Sequence, residues 1–356
     1  MGRPSQTTES GVHPPVSKRF WAGIGVSVTL LAMFFLTVDV GRMLDALADA
    51  DYRYVVPAAG MHLLAVLFRT MRWQWLLRHI RPIPVRRLYS VVVIGYMANN
   101  VLPMRLGELV RSYYVGEREG VSKMSALVTI FVERLLDALT LLLFISAMAL
   151  FIPLMGLAEA LGGAHGALWV ILGGSLALVF VGSFGIVVSM ALSPERAKAL
   201  ALRASRFLPD RFRGRIDGVV DHLLSGLVPL SSFRTVLGLL LVSLPIWLVE
   251  AGLFFVIGLA FDLHGQFYSS LWEMAVVMVL VTSIANLGSA IPAAPGGIGL
   301  FELVARETMV LLPLAAVDRD MAAAYVVVVH AVLLIPMIGL GQIFLLAQQA
   351  SLGALW

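Results

Sequence analysis

Pro103-Met104-Arg105-Leu106-Gly107-Glu108-Leu109-Val110-Arg111 and Pro295-Gly296-Gly297-Ile298-Gly299-Leu300-Phe301-Glu302-Leu303-Val304-Ala305-Arg306 are two versions of one phrase. In each, Pro is followed four residues later by Gly, and then come Glu-Leu-Val and an Arg, with two extra residues before the second Glu. Each copy interrupts an apolar segment. Proline removes a backbone donor and glycine permits non-helical dihedrals, so helices stop in such places. Paired breaks in the two halves of a hydrophobic chain point to a binding site built from broken helices. That favours a transporter over a receptor or a scaffold.

Outside the two phrases the chain is overwhelmingly apolar. Of its 356 residues 59% are hydrophobic and 13% charged, with a mean hydropathy of +0.90. Such values lie far from those of soluble domains. The expected fold is all-α and polytopic, and no soluble catalytic domain is expected within it. With no cysteine, disulfides and thiolate chemistry are excluded, but no compartment is identified. Residues 1–19 form a polar tail ending in Lys18-Arg19, and the apolar run from Phe20 reads as a retained first span, not a cleaved signal.

Six stretches read as full spans: Phe20–Val38, Val55–Leu77, Ser125–Phe151, Leu168–Leu192, Val236–Ala260 and Met321–Ala347. Between them lie two apolar blocks, Leu88–Tyr114 and Leu271–Leu312, which hold the two phrases. Lys and Arg favour the cytoplasmic side of short loops. The tail, 78–87, 105–123 and 193–234 hold 19 of the 26 Lys and Arg residues, whereas the opposite loops hold only Arg42, Arg53 and Arg319. Both termini, including 348–356, therefore read as cytoplasmic, in a multi-pass protein of a bacterial-type cytoplasmic (inner) membrane.

If both blocks are re-entrant hairpins, at about 88–114 and 271–312, they enter from opposite sides and form an inverted repeat. The membrane halves are then 20–192 and 235–347. The alternative makes Leu271–Ile291 and Ile298–Leu312 two ordinary spans, and charge does not decide between them. Segment 193–234 alternates cations with Leu and Phe. It reads either as an amphipathic segment on an anionic leaflet or as a plain positive-inside linker.

Several charges fall where hydrocarbon is expected, at a cost of roughly 2.5–3.5 kcal/mol each at the bilayer centre, so they face the bundle interior or a cavity. Glu133, Arg134 and Asp137 lie in the third span. Glu133 and Asp137 share a helical face, and Arg134 reaches Asp137 at i,i+3. The triplet is net negative, so a further cation is expected beside it, with Arg69 and Arg72 as candidates. Arg69 reads more simply as a snorkelling residue beside a Trp belt.

The two blocks supply the candidate ligand groups. Asn99-Asn100 precede Pro103, and Asn286 precedes Pro292 and Pro295. Half-helices starting near Gly107 or Gly299 would present free N–H groups to an anion, and Arg105, Arg111 and Arg306 add cations suited to phosphate. Glu108 and Glu302 serve as helix caps or as coordinators of a cation or proton. His330, inside the last span, either packs as a hydrogen-bonded residue or titrates. No GxxxxGK[ST] loop, HExxH cluster or GxSxG elbow is present, so neither nucleotide hydrolysis by that loop, nor a metal, nor any cofactor is expected.

Arg72-Trp73-x-x-Leu76-Leu77, Asn99-x-x-x-Pro103-x-Arg105-x-Gly107-Glu108, Glu133-Arg134-x-x-Asp137 and Pro295-Gly296-Gly297-x-Gly299-x-x-Glu302 resemble the transmembrane half of bacterial lysylphosphatidylglycerol synthases, a group also described as flippase-like integral membrane proteins. The likeness runs from about Phe20 to Ala347. It implies lipid translocation, with Gly296 and Gly297 joining the substrate-binding set. The synthases carry a soluble domain that transfers lysine from tRNA to phosphatidylglycerol; with the sequence ending at Trp356, that domain is expected to be absent. The family often shows Arg where this chain has His330.

The leading expectation is a flippase for an anionic or aminoacylated phospholipid, or a polyprenyl-phosphate-linked lipid. Arg105, Arg111, Arg134 and Arg306 would neutralise the headgroup, and Glu302 with His330 would couple protons. The rivals are a membrane-embedded transferase using Glu108 or Glu133 as general base, and a non-catalytic partner that recruits a soluble synthase through 193–234. Membrane lipids are the expected partners, nucleic acid is not, and a homodimer is left open.

Overall fold

A computed structural model describes residues 18–102, 106–152, 232–289, 295–312 and 317–353, with scattered positions between 174 and 203. The expected span Leu168–Leu192, segment 193–234 and Arg105 lie wholly or largely outside the described residues.

The described residues form helices and no strands. The principal helices are α1 (Lys18–Leu36), α2 (Val40–Asp49), α3 (Val55–Leu77), α4 (Val85–Val101), α5 (Gly107–Glu119), α6 (Lys123–Ile152), α7 (Phe233–Ala260), α8 (Leu271–Gly288), α9 (Leu300–Leu311) and α10 (Arg319–Gly353). Among the described residues, four stretches are long and apolar enough to cross a membrane: Tyr52–Leu77, Phe233–Ala260, Leu271–Gly288 and Arg319–Ala347.

Both phrases break a helix pair. α4 ends at Val101 and α5 begins at Gly107, while α8 ends at Gly288 and α9 begins at Leu300. In each pair the two helices pack against each other. Glycine permits the first approach: a Cβ on Gly107 would overlap the Gly95 carbonyl oxygen and stand 2.7 Å from Asn99 Cγ. The second break runs through Gly296, Gly297 and Gly299 at φ 66°, 74° and 90°, where an L side chain is strained. The alternative reading of Ile298–Leu312 as a full span meets a length limit. The 12 residues of α9 reach about 18 Å, against about 30 Å of hydrocarbon.

The helices after the first two divide into corresponding groups, α3–α6 and α7–α10, and their packing is reciprocal. α3 and α7 pack together along most of their length. They run antiparallel, since Asp51 N donates to Ala260 O, His62 meets Glu250 and Arg72 meets Ser243. α6 then packs against α8, and α10 against α4, so each long helix following a break covers the helix before the other break. This interlock brings the two breaks together. A Cβ on Gly296 would stand 3.5 Å from the Asn100 carbonyl oxygen.

Apolar packing separates into two large clusters. One joins α7–α10 with Phe34 of α1 and Met43 of α2. The other joins α3–α6 with Val236, Leu239 and Met337. Along α3 the change of cluster falls between Ala58 and Val66, and along α7 it falls between Leu239 and Leu253. His62 and Glu250 sit in those two intervals, so the polar groups lie at the junction.

Candidate functional site

At that junction is a cavity of about 500 Å³. The helix breaks line it with Asn99, Asn100, Asn286, Ser289, Gly296 and Gly297. Its ionisable walls are His62 and Arg69 from α3, Glu108 from α5, Arg134 and Asp137 from α6, Glu250 from α7 and His330 from α10. Tyr96, Trp247 and Phe301 supply aromatic surface.

Asp137 is the hub. Its Oδ1 accepts from Arg72 Nη2 at 2.8 Å and from Trp247 Nε1 at 3.2 Å. Its Oδ2 faces Arg134 at 3.1 Å and Arg69 at 3.7 Å. Arg69 lies over the Trp247 ring, 4.1 Å from its centroid, and reaches Glu250 at 3.6 Å. Glu250 in turn meets His62 Nδ1 at 3.2 Å. A charge in low dielectric is tolerated only when paired and hydrogen-bonded, and this mesh supplies the pairing.

Behind the wall lies a second, fully packed layer. Arg72 is 0% exposed and donates to Ser243 Oγ at 2.7 Å as well as to Asp137. Glu133, also 0% exposed, accepts from Arg111 at 2.8 Å and lies 3.8 Å from Arg72. Arg111 stacks on Trp73, its guanidinium carbon 4.2 Å from the ring centroid. Arg134 differs from these. Its side chain is 28% exposed, and its second carboxylate neighbour, Glu108, stands off at 4.0 Å.

At each break a side chain takes one N–H at the helix start. Gly107 N–H donates to Asn99 Oδ1 at 2.7 Å. Gly299 N–H donates to Glu302 Oε2 at 2.7 Å. Glu302 Oε1 lies 2.6 Å from His330 Nδ1, and His330 Nε2 lies 3.0 Å from the Gly296 carbonyl oxygen.

Of the residues singled out from sequence, Asn99, Glu108, Arg134, Asp137, Asn286, Gly296, Gly297 and His330 line the cavity, and Glu302 touches it through His330. Arg72, Arg111 and Glu133 form the packed layer behind it. Arg306 stands apart: it is 1% exposed, donates to the Phe34 carbonyl at 2.8 Å and pairs with Glu307. The expected quartet of headgroup cations is therefore not brought together. Arg111 and Arg306 are spent on internal partners, and Arg134 faces the cavity.

The snorkelling expected of Arg69 is also corrected. Its side chain is 7% exposed and turns inward to Glu250 and Asp137. Glu250, His62, Tyr96 and Trp247 were missed from sequence. Glu250 had a legible signal, being a carboxylate within an apolar helix with Leu248 and Leu253 around it.

The model of the lysylphosphatidylglycerol synthase TM region matches residues 20–341. The chain belongs to that family. Among relatives of this family member, Glycosyltransferase AglD of Haloferax volcanii is 30% identical over 349 residues, which are 90% of this chain and 53% of that protein. The chain thus spans about half the length of that relative. A UPF0104 membrane protein of Methanothermobacter thermautotrophicus is 27% identical over 332 residues, 86% of this chain and 88% of that one. Family and relatives together point to a membrane lipid-related function.

Proposed function

We propose that the protein is a lipid flippase of the cytoplasmic membrane, moving the polar head of a phospholipid or polyprenyl-phosphate-linked lipid through the cavity between the two helix breaks. In this reading α4–α5 and α8–α9 are re-entrant hairpins entering from opposite faces, the halves are inverted repeats, and both termini are cytoplasmic. The observation that carries it is the cavity itself: charged groups of both signs, three amides and a tryptophan meet where two helix breaks converge. Such a site gives a headgroup partners in place of water while its tails remain in lipid.

The wall charges also favour one kind of head. Arg69 and Arg134 are accompanied by Glu108, Asp137 and Glu250, so acids outnumber the permanent cations. A head bearing both phosphate and amine, as in an aminoacylated phospholipid, matches that mixture better than a bare phosphate does.

The test is reconstitution in liposomes carrying fluorescent phosphatidylglycerol, an aminoacylated phospholipid or a polyprenyl phosphate. Inner-leaflet label becoming accessible to an external quencher, over the level of empty liposomes, supports the reading. No exposure with any of the three overturns it.

AglD is named a glycosyltransferase, and three carboxylates face the cavity, so a membrane-embedded transferase is the second reading. Glu108 is then the general base; Glu133 is not, since Arg111 and Arg72 hold it behind the wall. This reading requires a chemically altered lipid in membranes containing the protein, which mass spectrometry detects.

A further inference from the structure

The contact between His330, Glu302 and Gly296 fixes a proton count. A carbonyl oxygen only accepts, so the 3.0 Å contact of His330 Nε2 with the Gly296 oxygen requires a proton on Nε2. The 2.6 Å contact of Nδ1 with Glu302 Oε1 requires another, either on the imidazole or on the carboxyl. For both contacts to be hydrogen bonds, the pair must hold one proton more than a neutral histidine beside a carboxylate. Without that proton, one contact has two acceptors facing each other. The tautomer that keeps the shorter Nδ1–H bond to Glu302 gives up Gly296.

Gly296 is the place where such a loss would be felt. It sits at the tip of the second break, at φ 66°, against Leu334 and the Asn100 carbonyl at the tip of the first. We infer that His330 and Glu302 form a proton-binding latch that holds the two helix breaks together when loaded and releases the Gly296 tip when empty. The inference rests on the flippase reading, for which it supplies the coupling ion.

The reciprocal packing of the halves sharpens this. Arg134 and His330 occupy the same place, eleven residues after the first residue of α6 and of α10. Each faces the glutamate in the first turn of the short helix before it: Glu108 for Arg134, Glu302 for His330. Arg keeps its proton throughout the working range, whereas His does not. Of these two matched pairs, the one at the second break is therefore the releasable one.

The pair shares the cavity with other charged groups. Across the cavity stand His62 and Arg69 of α3, Tyr96 of α4, Glu108 of α5, Arg134 and Asp137 of α6 and Glu250 of α7. From α8 the amide of Asn286 lines the cavity, while Glu273 lies in its first turn at the other end. Further along α9, Arg306 and Glu307 bind each other, and Arg319 takes the far side of Glu307. Phe301 stacks on the imidazole with centroids 4.3 Å apart.

The chain has no cysteine, so spin labels on Val101→Cys and Ile298→Cys report the separation of the two tips in lipid nanodiscs without further changes. The expected distance is short and narrow at low pH and grows or broadens, as a one-proton transition, on raising the pH. Glu302→Gln donates its amide to Nδ1 and leaves Nε2–H on Gly296, so the distance should stay short at every pH. His330→Gln should abolish the pH dependence. A wild-type distance indifferent to pH, or a Glu302→Gln variant that still opens, overturns the latch. The measurement needs no lipid movement. A pH-dependent latch in a protein that translocates no lipid sinks the flippase reading alone, and translocation beside a pH-indifferent latch sinks this inference alone.

Discussion

Arg72 and Asp137, 65 residues apart in sequence, meet at 2.8 Å inside the bundle, with the arginine wholly excluded from solvent. This bond ties α3 to α6 at the cavity wall. Without Arg72, Asp137 keeps Arg134, Arg69 and Trp247, but Ser243 loses its donor and one charge-assisted hydrogen bond is gone. Arg72→Met is therefore expected to lower stability by about 1–3 kcal/mol, seen as a fall in the thermal unfolding midpoint of the purified protein.

Arg111 and Glu133 give the complementary expectation. Arg111→Met alone leaves Glu133 only the more distant Arg72, and Glu133→Leu alone leaves Arg111 on the Trp73 ring without a carboxylate, whereas the double replacement removes both charges. The double variant should be more stable than the sum of the single losses implies, with a coupling of about 0.5–3 kcal/mol. A thermal-unfolding double-mutant cycle measures it, and strict additivity would show that the contact carries nothing.

The approach of α4 and α5 depends on Gly107. Gly107→Ala would force the new methyl against the Gly95 carbonyl oxygen and should cost about 1–3 kcal/mol through overpacking. Gly60→Ala is the control, since nothing lies within 4 Å of a Cβ there. Its expected effect in thermal unfolding is neutral or mildly stabilising.

Asn99 caps α5 from across the break. Asn99→Ala should lower stability by about 1 kcal/mol and reduce translocation, because the same amide lines the cavity. Asn99→Asp, which keeps an acceptor for Gly107 N–H, should retain most of the stability. Equal losses in the two variants would mean that the cap is not what Asn99 contributes.

How much of this was legible follows from what periodicity and punctuation encode. The breaks at Pro103–Gly107 and Pro295–Gly299 were readable because proline and glycine act locally, and the intramembrane charges were readable because each is costly wherever it falls. Pairing was not. Arg111 lies in the first phrase and looked like a ligand, yet it is claimed by Glu133 and Trp73, whose positions depend on how α3, α5 and α6 assemble. Arg69 looked interfacial because it is near a helix end beside Trp73 and Trp75; two of the partners that turn it inward, Trp247 and Glu250, are more than 170 residues away. The reciprocal helix packing likewise appears only in three dimensions, although the repeated phrase hinted at it.

The most direct test of the account is the rate of protein-dependent lipid exposure in liposomes for Arg69→Ala and Arg134→Ala beside the wild type, each normalised to folded protein. The account predicts that both variants remain folded and fall to the level of empty liposomes, because these two guanidiniums face the passage that the headgroup must use. Wild-type exposure that both variants retain in full would contradict it and move the lipid path away from this cavity.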